Sequence, residues 1–216
     1  MIRGVIFDLD GVLVSTDEMH FKAWKMLADE LGITNFTKED NKFQKGVSRM
    51  ESLEVVLRKG NRIYSEEEKL AFATKKNHYY IDLLQGLTDK AVLKDVMVTL
   101  DMLKERDIAI GIGSASKNAE IILKRTGLYN YIDQVSCGLD TTKSKPDPEV
   151  FIIAAKKLDL PNEECLVVED SAAGIVAAKA ADMKTLGVGP EYRQLGADYE
   201  SLTLQSDVDW NEILER

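Results

Sequence analysis

Two carboxylates one residue apart, Asp8 and Asp10, close the apolar run Val5-Ile6-Phe7 and are followed by Gly11-Val12. A short apolar run near the start of a chain reads as a buried strand whose last residues project from a sheet edge. In an open α/β sheet, ligands lie outside the carboxyl ends of the strands. Asp8 and Asp10 then stand where chemistry takes place. Adjacent carboxylates repel, so they require a cation, and a magnesium ion with a phosphate meets that need. An isolated D-x-D is more often a strand followed by an acidic turn, so the rest of the chain must decide.

Three later stretches decide it. Ile108 to Gly113 is an apolar run ending at Ser114-Ala-Ser-Lys-Asn118. Lys143-Ser-Lys-Pro-Asp-Pro148 is a loop carrying Lys145, and Cys165 to Val168 is an apolar run ending at Glu169-Asp170. Singly, each has a plain structural reading. A serine after a strand caps a helix, a lysine before proline is solvated, and a Glu-Asp pair favours a helix dipole. Parallel strands bring their carboxyl ends together, so the four loops can converge.

Together they form an inventory for phosphoryl transfer. Asp8 and Asp170 can ligate magnesium, with Glu169 reaching it through water or standing behind the ligands. Lys145 adds positive charge, and Ser114 with backbone N–H groups covers the remaining phosphoryl oxygens. Asp8 can then attack phosphorus and form an aspartyl phosphate. Asp10, two positions on, shares its face and can exchange a proton with a substrate hydroxyl.

The elements that must hold these residues alternate. After Thr16-Asp17, Phe21, Trp24, Leu27, Ala28 and Leu31 recur at helical spacing, with Gly32 as the stop. Ser65-x-x-Glu68 is a capping box opening a helix through Lys76 and His78. Residues 15–91 show helix signals and no convincing strand, so they read as a helical insertion. Beyond them, strands at 108–113, 132–136, 165–168 and 185–189 alternate with helices. One helix is expected to start with Asp147 as N-cap and Pro148 at its first position. The expected fold is α/β, a doubly wound parallel sheet with a Rossmann-like core, spanning 1–14 and 92–216, with a helical cap domain at 15–91.

Composition narrows the partners. The net charge of −9 argues against nucleic acid or an anionic membrane as main partner. No run is apolar enough to span a membrane, and the chain enters a strand at once without a signal peptide. Two distant cysteines, Cys137 and Cys165, lack metal-ligand spacing and suit a reducing, cytoplasmic setting.

D-x-D-G-V after the first strand, a strand ending in serine, Lys-Pro before a helix and a late Glu-Asp resemble the haloacid dehalogenase superfamily. The resemblance covers essentially the whole chain, and the place of the insertion matches the subclass with a helical cap. It implies Asp8 as nucleophile, Asp10 as general acid/base, and magnesium held by Asp8, the Asp10 backbone carbonyl, Glu169 and Asp170. Within the insertion, His20-Phe-Lys-Ala-Trp-Lys25 and Lys45-Gly-Val-Ser-Arg49 followed by Ser52 resemble the β-phosphoglucomutase family, as does Ser-Ala-Ser-Lys-Asn at 114–118.

That resemblance implies a phosphomutase interconverting β-D-glucose 1-phosphate and D-glucose 6-phosphate, through an aspartyl phosphate and a glucose 1,6-bisphosphate intermediate. The alternative is a magnesium-dependent sugar-phosphate phosphatase using the same aspartate. The partner implied is a small phosphorylated sugar, and the chain is expected to act as a monomer. Substrate contacts are expected from Thr16, His20, Trp24, Lys45, Gly46, Val47, Ser48, Arg49, Ser52, Lys76, Ala115, Ser116, Lys117 and Asn118.

Arg49, helped by Ser116, Lys117 and Asn118, is the candidate for the distal phosphate. Trp24 lies on an apolar stripe and reads equally as core or as sugar contact. A lone histidine such as His20 is by default a satisfied core or capping residue; the resemblance gives it the positioning of Asp10. Linkers at 12–17 and 80–94 are the expected hinges. The family's Pro-Gly in the second linker is missing from Ala91-Val-Leu-Lys-Asp-Val96. Asp147, two residues from Lys145, is expected to tune that lysine.

Overall fold

The computed structural model describes residues 1–44 and 47–215. In chain order β1 (Gly4–Phe7) leads to α1 (Asp17–Glu30), α2 (Lys38–Asn41), α3 (Arg49–Leu57), α4 (Glu66–Leu84) and α5 (Val96–Glu105). Then come β2 (Ala109–Gly113), α6 (Ala119–Thr126), β3 (Gln134–Ser136), α7 (Glu149–Lys157) and β4 (Cys165–Glu169). The chain closes with α8 (Ala172–Ala180), β5 (Lys184–Gly187), β6 (Tyr199–Glu200) and α9 (Trp210–Glu215). It divides into two compact units, Met1–Ser15 with Thr88–Arg216, and Thr16–Leu87.

The first unit is built on a parallel sheet of order β3-β2-β1-β4-β5-β6. β1 and β4 are buried along their whole length, as continuous apolar runs require when both sheet faces are covered. α7 and α8 lay Phe151, Ala154, Ala155, Ala177 and Ala178 on Ile6 and Val167. The small residues of α8 let that helix lie close to the strands. Three helices, α5, α7 and α8, are followed by Asp107, Asp159 and Asp182, at φ 56°, 58° and 58°. Aspartate tolerates this left-handed turn better than most side chains, so each helix stops without a glycine.

The second unit is helical, with no strand among its described residues. α1, α3 and α4 close on Trp24, Leu27, Phe36, Leu53, Val56 and Ala73. Ser65 caps α4 as expected: its hydroxyl accepts the Glu68 N–H at 3.2 Å, and Glu68 Oε2 accepts the Ser65 N–H at 2.8 Å.

The two crossings of the chain between units are laced together within the first unit. Ser15 donates to the Ala91 carbonyl at 2.9 Å, and Leu93 to the Leu13 carbonyl at 3.0 Å. The second crossing is shorter than 80–94, because α4 keeps residues 80–84 helical. α7 also begins one residue later than expected, with Pro148 as its N-cap.

Candidate active site

The sheet ladder runs past the strand ends and sets polar residues on one rim. The Asp8 N–H donates to the Val168 carbonyl at 2.9 Å, and the Ser114 N–H to the Ser136 carbonyl at 3.0 Å. The Val188 N–H reaches the Glu169 carbonyl at 2.8 Å. The strand order reverses between β1 and β4, the switch point where doubly wound sheets bind ligands. Asp8 flanks it from β1, and Glu169-Asp170 from β4.

Lys145 enters this rim from the loop after β3. Its Nζ donates to Asp8 Oδ1 and to Glu169 Oε1, each at 2.5 Å, and lies 4.7 Å from the Phe151 ring centroid. The residue is 5% exposed, so these are buried ion pairs. Burial disfavours the ammonium, but the two carboxylates more than reverse this and hold Lys145 above the usual lysine range. Breaking such a pair by deleting one partner typically costs about 3–5 kcal/mol.

Glu169 is held on both oxygens. Besides Lys145 on Oε1, its Oε2 accepts the Ser171 N–H at 2.7 Å and the Ser171 hydroxyl at 2.9 Å. Gly174 makes room for it: a Cβ there would fall on the Glu169 carboxyl group. Across the rim, Gly11 sits at φ +92°, and a Cβ there would collide with the Asp170 carboxylate. The glycine of D-x-D-G thus serves both the turn and the close approach of Asp170.

Charge at this rim is unbalanced. Burial pushes the Asp8 carboxyl well above the usual range; Lys145 opposes the shift, and Glu169 and Asp170 add to it. Among the described residues Lys145 bonds to two of these carboxylates, Asp8 and Glu169. No three acidic, histidine or cysteine side chains among the described residues cluster tightly enough to complete a cation site unaided.

The loop after β2 orients its hydroxyls. Ser114 Oγ accepts the Ser116 N–H at 3.1 Å, and Ser116 Oγ accepts the Asn118 N–H at 3.2 Å. Each hydroxyl accepts with a lone pair and so keeps its own hydrogen to donate. Ser114 and Asn118 are buried, Ala115 and Ser116 half-buried, and Lys117 exposed.

Asp147 does not reach Lys145. Its Oδ2 pairs with Lys143 Nζ at 3.2 Å, and its Oδ1 accepts the Glu149 N–H at 3.1 Å. Asp8 and Glu169 already occupy the Lys145 ammonium, so Asp147 is not the residue that tunes it.

The helical unit holds a second cluster. Lys76 Nζ lies 2.9 Å from His20 Nδ1 and sits over the rings of Trp24 and Tyr80, at 4.6 and 4.8 Å from their centroids. His20 stacks on Tyr80 with centroids 4.0 Å apart. Burial, with the charges of Lys76 and Arg49, holds His20 well below the usual histidine range, so it is a neutral acceptor. Arg49 donates to Asn77 Oδ1 at 2.9 Å. Ser48 caps α3, its hydroxyl accepting the Glu51 N–H at 3.2 Å. Trp24, Thr16 and Ser52 are buried, and Trp24 belongs to the core of this unit. Val47 is half-buried, and Lys45 and Gly46 lie outside the described residues.

Phe151, Ser171, Gly174, Asn77 and Tyr80 serve these clusters without having been singled out from the sequence. Gly174 carried a signal, being a glycine inside a helical run. Asn77 and Tyr80 follow Lys76 at one and four positions, and only the helix geometry shows what they touch.

Comparison with known proteins agrees with this geometry. The model of the haloacid dehalogenase-like hydrolase family matches residues 5–188. A β-phosphoglucomutase of Bacillus subtilis (strain 168) is 40% identical over 199 residues, covering 91% of this chain and 88% of that protein. The chain belongs to the haloacid dehalogenase-like hydrolase family, in its β-phosphoglucomutase branch. A crystal structure of a β-phosphoglucomutase from Clostridium difficile superposes with a TM-score of 0.90 at 37% identity, covering 100% of this chain and 96% of the other. The family also holds phosphatases: a fructose-1-phosphate phosphatase of Escherichia coli (strain K12) is 28% identical, covering 86% of this chain and 95% of its own.

Proposed function

We propose that this chain is a phosphomutase that interconverts β-D-glucose 1-phosphate and D-glucose 6-phosphate. The observation that carries the reading is the rim where Lys145 bridges Asp8 and Glu169, with Asp170 close enough to act on the Asp8 carboxyl. It is supported by the 40% identity to a β-phosphoglucomutase along most of the chain.

Asp8 is the proposed nucleophile. Its carboxylate oxygen bonds to phosphorus as the bond from phosphorus to the sugar oxygen breaks. Asp10 gives the leaving oxygen its proton and later takes one from the attacking hydroxyl. The phospho-Asp8 enzyme phosphorylates the 6-hydroxyl of β-glucose 1-phosphate, which makes glucose 1,6-bisphosphate. Return of the 1-phosphoryl group to Asp8 leaves glucose 6-phosphate. Lys145 and the hydroxyl of Ser114 stabilise charge on the transferring group. Arg49 binds the distal phosphate. Thr16, His20, Trp24, Lys45, Gly46, Val47, Ser48, Ser52, Lys76, Ala115, Ser116, Lys117 and Asn118 complete the proposed substrate set.

Magnesium fits this donor set. Asp8, Asp170 and the Asp10 backbone carbonyl would hold it, with Glu169 acting through water, since Lys145 and Ser171 already hold both its oxygens. Magnesium takes one or two carboxylates with waters and phosphate oxygens, so three clustered protein ligands are not needed. When bound, it would offset repulsion between the anionic nucleophile and the phosphoryl group.

A cytoplasmic, monomeric enzyme is part of the proposal. The two buried free thiols, Cys137 and Cys165, support the location, and no described helix is long and apolar enough to cross a membrane.

The test is a product assay with β-glucose 1-phosphate, magnesium and a trace of glucose 1,6-bisphosphate. Glucose 6-phosphate supports the mutase. Free phosphate and glucose would replace it with a sugar-phosphate phosphatase.

A further inference from the structure

Among the described residues Lys145 is the cation that bonds to both Asp8 and Glu169, and it stands on an exposed loop rather than on a strand. Something must fix that loop. Residues 142–144 and Pro146 are exposed, whereas Lys145 is buried. The loop is closed by Glu149, the first residue of α7. Its Oε2 accepts the backbone N–H groups of Thr142 and Lys143, both at 2.7 Å. The Thr142 hydroxyl lies 3.1 Å from Oε1 and 3.3 Å from Oε2. One carboxylate thus joins the two ends of the segment whose middle is Lys145.

Asp147 tightens the same segment from inside. It accepts the Glu149 N–H, pairs with Lys143, and donates its own N–H to the Ser144 carbonyl at 3.0 Å. Glu149 also ties the loop to α7, whose Phe151 lies under the Lys145 ammonium. These bonds to backbone donors hold the Glu149 carboxyl below the usual range, so the clasp is charged at neutral pH.

We propose that Glu149 is a positioning residue: by clasping the backbone of Thr142 and Lys143 it sets where the Lys145 ammonium stands against Asp8 and the transferring phosphoryl group. The proposal rests on the catalytic reading of Lys145 given above. The Glu149 carboxylate bonds to Thr142 and Lys143, not to Asp8 or Glu169. Its effect must pass through the loop. A displacement of about 1 Å in a catalytic group can cost about a hundredfold in rate, and an unclasped loop gives Lys145 that freedom.

The test compares wild type with Glu149→Asp, Glu149→Gln, Glu149→Ala and Lys145→Met. Three readouts are taken on purified, folded enzyme with magnesium: kcat and KM on a small aryl phosphate, the inhibition constant of orthovanadate, and hydrogen exchange at the Thr142 and Lys143 amides. Orthovanadate mimics the phosphoryl group in transfer. Glu149→Ala should lower kcat by about 10- to 100-fold, leave KM within about twofold, weaken vanadate by a similar factor, and speed exchange at both amides. Glu149→Gln keeps one acceptor and should fall between Ala and wild type; Glu149→Asp should restore part of the loss. If Glu149→Ala does not fold, Glu149→Gln carries the same comparison.

Wild-type kcat and vanadate affinity in Glu149→Gln and Glu149→Ala, with Lys145→Met inactive, would overturn the clasp. So would a loss that follows only the fraction of folded protein, with no change in vanadate affinity of the folded part. Full activity in Lys145→Met would instead overturn the catalytic reading of Lys145, and the two failures are thereby distinguished.

Discussion

Asp8 and Lys145 show how a residue's chemistry is set by what surrounds it. Asp8, Asp10, Ser114, Lys145, Glu169 and Asp170 are legible in the sequence because each follows an apolar run or precedes a helix. Their partners are not. That Lys145 bridges Asp8 and Glu169, or that Ser171 holds Glu169, depends on a fold bringing together residues far apart in the chain. His20 makes the same point. Its neutral, low-pKa state comes from burial and from Lys76, 56 residues away in sequence. The depressed His20 pKa makes stability depend on pH. The unfolded chain binds a proton on this histidine below about pH 6.5, and the native state does not. The contribution is full above that pH and is lost as pH falls toward the lower native value. Replacing His20 by Gln should flatten the stability–pH curve below about pH 6.5. Chemical denaturation of both proteins across that range measures it, and parallel curves would show that His20 protonates freely in the fold.

At the scale of elements, periodicity and capping carried most of the reading. The Ser65–Glu68 box opens α4, and the apolar runs became β1, β2 and β4. β6 was not legible, since Tyr199–Glu200 is two residues long and has no period. The turn into α5 was not legible either. The missing Pro-Gly marks 91–96 as unusual but does not single out Asp95, which takes φ +69° itself. Thr203 Oγ1 donates to Asp95 Oδ2 at 2.7 Å across 108 positions, a contact no local pattern reveals. Gly174 shows an element serving the site directly, because α8 must leave space for the Glu169 carboxyl. Glu169 is buried and clamped by Ser171 and Lys145, so it cannot swing away freely. Gly174→Ala should therefore displace it, lowering kcat by roughly tenfold or more through the Lys145 pair and destabilising the fold by about 1–3 kcal/mol, the usual cost of overpacking. Steady-state kinetics with thermal melting measures both, and wild-type values would mean that the Glu169 pocket yields without cost.

For the whole molecule, the proposed functional residues fall into two sets on two compact units. The α/β unit carries Asp8, Asp10, Ser114, Lys145, Glu169 and Asp170, and the helical unit carries Arg49, His20 and Lys76. A sugar bisphosphate has a phosphate at each end, and only the mutase needs both read. Arg49→Ala should cost on the order of 2–5 kcal/mol in kcat/KM on β-glucose 1-phosphate, while hydrolysis of a small aryl phosphate falls far less. Equal losses on the two substrates would place Arg49 in the chemical step. Activity should also vanish on exhaustive chelation and return with magnesium better than with calcium, as expected for a site with few carboxylates and many water or phosphate oxygens. Undiminished turnover after chelation would remove the metal from the scheme.

In the proposed mechanism phosphate passes through Asp8 to a sugar hydroxyl rather than to water. Enzyme can be charged with a phosphoryl donor bearing labelled phosphorus, quenched, and digested. A second portion is chased with unlabelled glucose 6-phosphate before quenching. The label should map to the peptide containing Asp8, be absent in Asp8→Asn, and move on chasing into glucose 1,6-bisphosphate. Label on another residue, or its release as inorganic phosphate at the same rate with and without the sugar phosphate, would contradict the account.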